Sequence, residues 1–209
     1  RNCRFLRNHA TYNGGAMLVQ HTSWVELINC LLLGNTAGQK GGAISQEAGG
    51  YSRIDVYHCV LQGNQADQLG GALYNIEEQP SERNIRNSII WGNSTTGQDV
   101  NVRDPSFSGP VEADNSCIQH LFSSDPGEDP IDPGNYPGCI ITSPMLVAAS
   151  TGGLQLLAAS QCIDAGGSTF IPPGTSTDVI GNTRVVRGLP GPGASRVDMG
   201  AFEFGSGSS

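Results

Sequence analysis

Lysine is nearly missing from this chain: Lys40 is the single example among 209 residues, and charged residues of both signs make up only 14%. With a formal net charge of −8 there is no basic field to neutralise phosphates, so neither nucleic acid nor an anionic membrane surface is an expected partner. Long apolar runs are missing too. None approaches the roughly 20 residues of a bilayer-spanning helix, so no transmembrane segment is expected. No two of the six cysteines stand in C-x-x-C spacing, which leaves a zinc site little support. The start carries neither Met nor a signal-like segment, and reads as a piece of a longer chain.

What the chain has in quantity is Gly (29), Pro (12), Asn and Ser, the residues of tight turns. They are arranged periodically. Asn2-Cys3…Asn8, Asn29-Cys30…Asn35, His58-Cys59…Asn64 and Asn87-Ser88…Asn93 are versions of one segment, and the first three lead to Gly-Gly-Ala at 14–16, 41–43 and 70–72. The Asn column is spaced by 27, 29 and 29 residues. The Cys column runs 3, 30, 59, Ser88 and 117. Such periods mark stacked supersecondary units.

Local periodicity identifies the unit. Val25, Leu27, Cys30 and Leu32 recur 29 residues on as Ile54, Val56, Cys59 and Leu61, which fits two short strands separated by a corner. The glycine pair and its sequel supply a third strand. Three strands and three corners predict an all-β, right-handed parallel β-helix of about four coils with an irregular C-terminal cap. Phe5, Leu32, Leu61 and Ile90 should stack inside, beside Ala16, Ala43 and Ala72. Asn8, Asn35, Asn64 and Asn93 are expected at a left-handed corner with their amides bonded along the axis, and Cys3, Cys30 and Cys59 as buried thiols. Coils are expected over 1–120, a capping region over 121–204, and a linker or tag over 205–209.

Phe5-Leu6-Arg7-Asn8 with the three Gly-Gly-Ala segments resembles the FxxN and GGA(I/L/V) repeats of the polymorphic outer-membrane protein adhesins. Later coils replace the Phe. That resemblance covers residues 1–95 and implies an extracellular β-helix. From 116 onward, Ser116-Cys117-Ile118, Ser160 to Gly166, Asp178 with Gly181 and Arg184, and Val197 to Glu203 resemble the endings of bacterial secreted proteins called choice-of-anchor Q. This resemblance implies a secreted or cell-surface protein. An open solenoid end exposes apolar cross-section and invites end-to-end self-association, so a cap is expected to cover the last coil. Asp164, Arg184, Asp198 and Glu203 are its candidate buried staples. One pair among Cys117, Cys139 and Cys162 is a candidate disulfide.

Candidate chemistry is sparse. Glu26 and Asp55 stack 29 residues apart on an outward face, as a weak acid–base or cation site or as ordinary solvent-facing alternation. Trp24 and Tyr57 offer rings to a sugar or pack at corners. Asp125, Glu128, Asp129 and Asp132 form an acidic loop with oxygen ligands for Ca²⁺ but without EF-hand spacing; no other cofactor is expected. The leading expectation is a secreted or surface module with a structural, adhesive or glycan-contacting role, partnered by a polysaccharide or a cell-surface protein. The alternative is a polysaccharide-active lyase, epimerase or hydrolase of the same fold.

Overall fold

The computed structural model of the chain describes residues 1–47, 51–75, 82–96, 107–108, 111–119, 121, 132–148, 154–185 and 196–205. Its first turn comprises β1 (Arg4–Leu6), β2 (His9–Ala10), β3 (Met17–Val19) and β4 (Trp24–Ile28). The second repeats them as β5 (Leu31–Leu33), β6 (Thr36–Ala37), β7 (Ile44–Gln46) and β8 (Arg53–Tyr57). The third has β9 (Val60–Gln62), β10 (Gln65–Ala66), β11 (Leu73–Asn75) and β12 (Glu82–Arg86). A fourth holds β13 (Ile89–Trp91), β14 (Ser94–Thr95), β15 (Phe107–Ser108) and β16 (Glu112–Asp114), and β17 (Cys117–Ile118) opens a fifth. Each strand pairs in parallel with its equivalent one turn on, giving sheet A from β1, β5, β9, β13 and β17, and sheets B, C and D from the second, third and fourth strands of each turn. The chain is thus an all-β parallel β-helix. Its coil has four strands where three are expected, because the two residues after each Asn corner form a strand too short to leave an alternating pattern.

The stacked rows follow from register. Phe5, Leu32, Leu61, Ile90 and Ile118 lie above one another in sheet A and face the interior, where they meet Ala43, Ala72, Ile54 and Val56. A fully buried Leu or Ile contributes about 1.5–3 kcal/mol. At the glycine pairs the first residue turns the chain, with φ of 69°, 67° and 65° at Gly14, Gly41 and Gly70. The second lets coils approach: a Cβ on Gly42 would stand 2.2 Å from the Gly71 carbonyl oxygen.

Two polar ladders run inside. Asn35 Oδ1 accepts the backbone N–H and the Nδ2 of Asn8 at 3.0 and 2.8 Å, Asn64 accepts both from Asn35 at 2.9 and 2.8 Å, and Asn93 both from Asn64 at 2.9 Å. The second amide hydrogen of Asn35, Asn64 and Asn93 goes to the carbonyl of Phe5, Leu32 and Leu61. These Asn residues are not left-handed, contrary to expectation. The residue before each takes that conformation, with φ of 53°, 62°, 63° and 65° at Arg7, Gly34, Gly63 and Gly92. The Asn is thereby left in the orientation that aims its amide along the axis.

In the second ladder the N–H of Cys30 donates to Cys59 Sγ, that of Cys59 to Ser88 Oγ and that of Ser88 to Ser116 Oγ. Each thiol or hydroxyl in turn donates to the carbonyl two residues before it. Ser replaces Cys because both supply one acceptor and one donor. Cys117 is therefore out of the column assigned to it. The repeat shortens to 28 residues between Ser88 and Ser116, so Cys117 pairs with Ile89 and its side chain turns to the other side of the sheet.

That other side is apolar. Leu31, Val60, Ile89 and Cys117 form an outward row of sheet A, and Leu156, Cys162, Ile163, Met199, Ala201 and Phe202 cover it. The covering segment includes an antiparallel pair, β18 (Leu146–Ala148) and β19 (Leu154–Leu156). The expected cap is therefore divided. Leu121, Tyr136 and Cys139 pack on the end of the interior, with Ile140 bridged to Cys117, while the later residues lie along the side of the helix. A sheet apolar on both faces requires cover on both.

Candidate functional site

The outer face of sheet D carries a dense group of charged and aromatic residues. Val25, Leu27, Ile54, Val56, Ile85 and Ala113 point inward, which leaves three outward rows. These are Trp24, Arg53 and Glu82; Glu26, Asp55, Asn84 and Glu112; and Ile28, Tyr57, Arg86 and Asp114. Glu26 and Asp55 are in register as expected, yet their surroundings differ. Glu26 is exposed beside Arg1, 3.7 Å away, whereas Asp55 is only 1% exposed. Its carboxylate accepts Trp24 Nε1 at 2.7 Å, Arg53 Nε at 2.8 Å and Asn84 Nδ2 at 2.7 Å. Asp55 is therefore occupied in fixing its neighbours and is unsuited to hold a cation or move a proton.

What it fixes is a platform. Trp24 is 70% exposed, with the Arg53 guanidinium 5.3 Å from its ring centre. Arg53 also reaches Glu82 at 3.4 Å, and the hydrogen bond of Tyr51 to Glu82 pushes that phenol upward in pKa. Tyr51 is exposed; Tyr57 is half-buried, and burial raises its phenol. At the far side Arg86 pairs with Asp114 at 2.7 Å and lies over the Phe170 ring of the C-terminal segment. Arg53, Asn84 and Tyr51 escape a reading based on repeat columns, since they differ from coil to coil; their only signal is a place on the outward alternation beside Trp24 and Asp55.

The candidate metal loop is mostly outside the described residues: Asp125, Glu128 and Asp129 fall there. Asp132 is described, and its carboxylate accepts the Gly134 N–H at 2.8 Å to cap the turn at Pro133–Asn135. Among the described residues no three His, Cys, Asp or Glu side chains are grouped to hold a metal ion.

The candidate staples gather at a seam between coils and C-terminal module. Arg184, fully buried, donates to Glu203 Oε1 at 2.6 Å, to the carbonyls of Gly200 and Ala201, and to Asn29 Oδ1 at 2.6 Å. Glu203 accepts the Asp198 N–H. Asp198 accepts those of Asp164 and Phe204, and Asp178 those of Ile180, Asn182 and Glu203. Burial pushes the Glu203 and Asp198 carboxyls upward, with Arg184 pulling against it. Gly200 closes the seam, since a Cβ there would lie 2.8 Å from Ile89 Cδ1.

The helix side of this seam is a column of corner residues that precede the Cys/Ser ladder. Asn29, His58, Asn87 and Asn115 occupy the left-handed corner between sheets D and A, with φ of 53°, 50°, 50° and 45°. Asn115 donates to Ala165 O, Asn87 exchanges two bonds with Gly167, and Asn29 donates to Thr177 O. The module thus runs back along the helix, coil by coil. His58 is buried between Asn29 and Asn87; Asn87 Nδ2 lies 3.2 Å from its Nε2, and burial together with the Arg184 charge holds its imidazole neutral, down to about 2.

Fold and faces together define a parallel β-helix repeat protein with a side-docked C-terminal module. Residues 29–47, from the corner Asn29 past the end of β7, match the Chlamydia polymorphic membrane protein repeat. No curated protein and no solved structure matches the chain. No helix among the described residues is long and apolar enough to cross a membrane.

Proposed function

We propose that the chain is a surface-exposed, adhesin-like β-helix that contacts glycans through the outer face of sheet D. One observation carries the reading: Trp24 is 70% exposed while its indole N–H is tied to the buried Asp55 at 2.7 Å. A large ring held open in one orientation provides apolar area at little ordering cost, which suits stacking against the C–H face of a sugar. Tyr51, Glu26, Glu82 and Arg53 border it with donors and acceptors for hydroxyl groups. The repeat match over 29–47 supports placement at a cell surface.

The test is a glycan array followed by titration of the full chain against the best ligands. Trp24→Ala should weaken binding at least about tenfold, or about 1.4 kcal/mol. Its unfolding free energy should stay within about 1 kcal/mol of the parent. Absence of any glycan ligand, or equal binding by the variant, overturns the reading. Reducing-end and unsaturated-product assays on the same polysaccharides address the enzyme alternative: turnover abolished by Glu26→Gln would put that alternative in its place.

A further inference from the structure

Two thiols face each other across the junction of the coils and the C-terminal module. Cys117 is in β17, the last strand of sheet A, and Cys162 lies in the covering segment. Both are fully buried in one apolar cluster with Leu31, Val60, Ile89 and Met199, near enough that each thiol shifts the other's pKa, and Cys117 Sγ donates to the Thr142 carbonyl at 3.3 Å. The one-residue shortening of the repeat before Cys117 is what puts it there. In register with Ser88, its sulfur would point into the helix, where Ser116 now completes the ladder.

The other cysteines are placed differently. Cys30 and Cys59 also touch, but they stand in equivalent positions of adjacent parallel strands. Each is engaged in the ladder, with Cys59 Sγ accepting the Cys30 N–H. Parallel side chains on neighbouring strands do not give the Cβ–S–S–Cβ dihedral near 90° that a disulfide needs. Cys139 packs against the helix interior, on the opposite side of its segment from Ile140, which adjoins the outward cluster. All six cysteines are thiols in this structure.

We propose that Cys117 and Cys162 are a disulfide site, which in an oxidising compartment bolts the C-terminal module to the last coil. Such compartments are where surface and secreted proteins fold. The reaction is exchange with a small disulfide such as oxidised glutathione. One cysteine thiolate attacks a glutathione sulfur and expels one glutathione thiolate; the second cysteine thiolate then attacks the mixed disulfide and expels the other. Two protein thiols are oxidised, one glutathione disulfide is reduced, and the two protons end on the two released glutathiones. The bridge closes a loop of 44 intervening residues, long enough for a large effect on the unfolded chain. The site stands independently of whether sheet D binds a glycan.

The experiment refolds the reduced 209-residue chain in a glutathione redox buffer, alkylates it under denaturing conditions and maps the peptides by mass spectrometry. The expected product has one disulfide, linking the peptides of Cys117 and Cys162, and four alkylated thiols. Its melting midpoint should fall by about 5–10 °C on reduction, and that response should vanish in the Cys117→Ser, Cys162→Ser double variant. Because Ser occupies the equivalent ladder positions, a Cys139→Ser variant serves as the control and should still form the bridge. Six alkylated cysteines after refolding, a bridge to Cys139, or a Cys30–Cys59 bridge in place of the expected one would each overturn the proposal.

Discussion

Asn64 sits between two copies of itself, Asn35 and Asn93, and the two bonds it donates to Asn93 repeat the two that Asn35 donates to it. Arg184, in the C-terminal module, has no such copies: one guanidinium serves Glu203, Asn29 and two carbonyls drawn from separate parts of the chain. Both regions bury polar groups, and both must satisfy them or lose stability. The coil ladders do it with neutral groups repeated every 27 to 29 residues, so that each turn completes the one before it. The module uses charges, concentrated in one place. A ladder divides its energy among many equal contacts, whereas a network of charges depends on each member.

Removing the centre of the network should therefore cost most. Arg184→Met leaves Glu203, Asn29 Oδ1 and two carbonyls without their donor, and the expected loss is about 3–5 kcal/mol in urea unfolding. Hydrogen exchange should show protection falling first over 154–185 and 196–204, with β5 and β9 still protected. Equal loss in both regions would make coils and module a single cooperative unit and erase the contrast. Asn64→Ala attacks the other side. It removes the acceptor of two donors of Asn35 and the donor to Leu32 O, for about 1–3 kcal/mol, and exchange should rise in the coils on either side of position 64. A cost above that of Arg184→Met would reverse the order argued from concentration of charge.

The same contrast governs what the sequence reveals. Columns at 27 to 29 residues carry the coil, its interior and the Asn ladder, because each row has to repeat for strands to stack. The module has no period, and only its motif resemblance pointed to Asp164, Arg184, Asp198 and Glu203. Its place along the side of the helix was nonetheless written in Leu31-Leu32-Leu33 and Ile89-Ile90. Consecutive apolar residues in a strand mean burial on both faces, and the outer face requires a partner. A column at constant spacing misplaces Cys117, because it hides a shortening by one residue, and one residue is enough to exchange inside for outside. Asp55 faces outward as alternation demands; its burial arises from the long side chains of Trp24, Arg53 and Asn84, and side-chain cover of this kind has no period to detect.

The junction itself provides the finest test, at the one coil where the corner column departs from Asn. His58 faces Arg184 and Asn87, with Cys59 next to it and Asp178 and Glu203 beyond the guanidinium. Its imidazole titrates near 6.5 when unfolded and is held down to about 2 in the folded chain by burial and the Arg184 charge. Above pH 6.5 both states are neutral and the residue costs nothing. Below it the unfolded chain binds a proton that the folded chain refuses, so stability drops by up to about 1.4 kcal/mol for each pH unit. Asp198 and Glu203 work against this slope, since burial raises their folded-state pKa and the native state then holds protons that the unfolded chain has released. His58→Asn restores the residue found at positions 29 and 87 and accommodates the same left-handed backbone. At pH 7 it should change the unfolding free energy by no more than about 1 kcal/mol; at pH 5 it should lead the parent by up to about 2 kcal/mol. Parallel urea-unfolding curves for parent and variant from pH 7 to pH 5 would show that the junction does not force His58 to stay neutral, and with it would go the idea that one irregular corner, alone among the coils, makes the attachment of the module acid-sensitive.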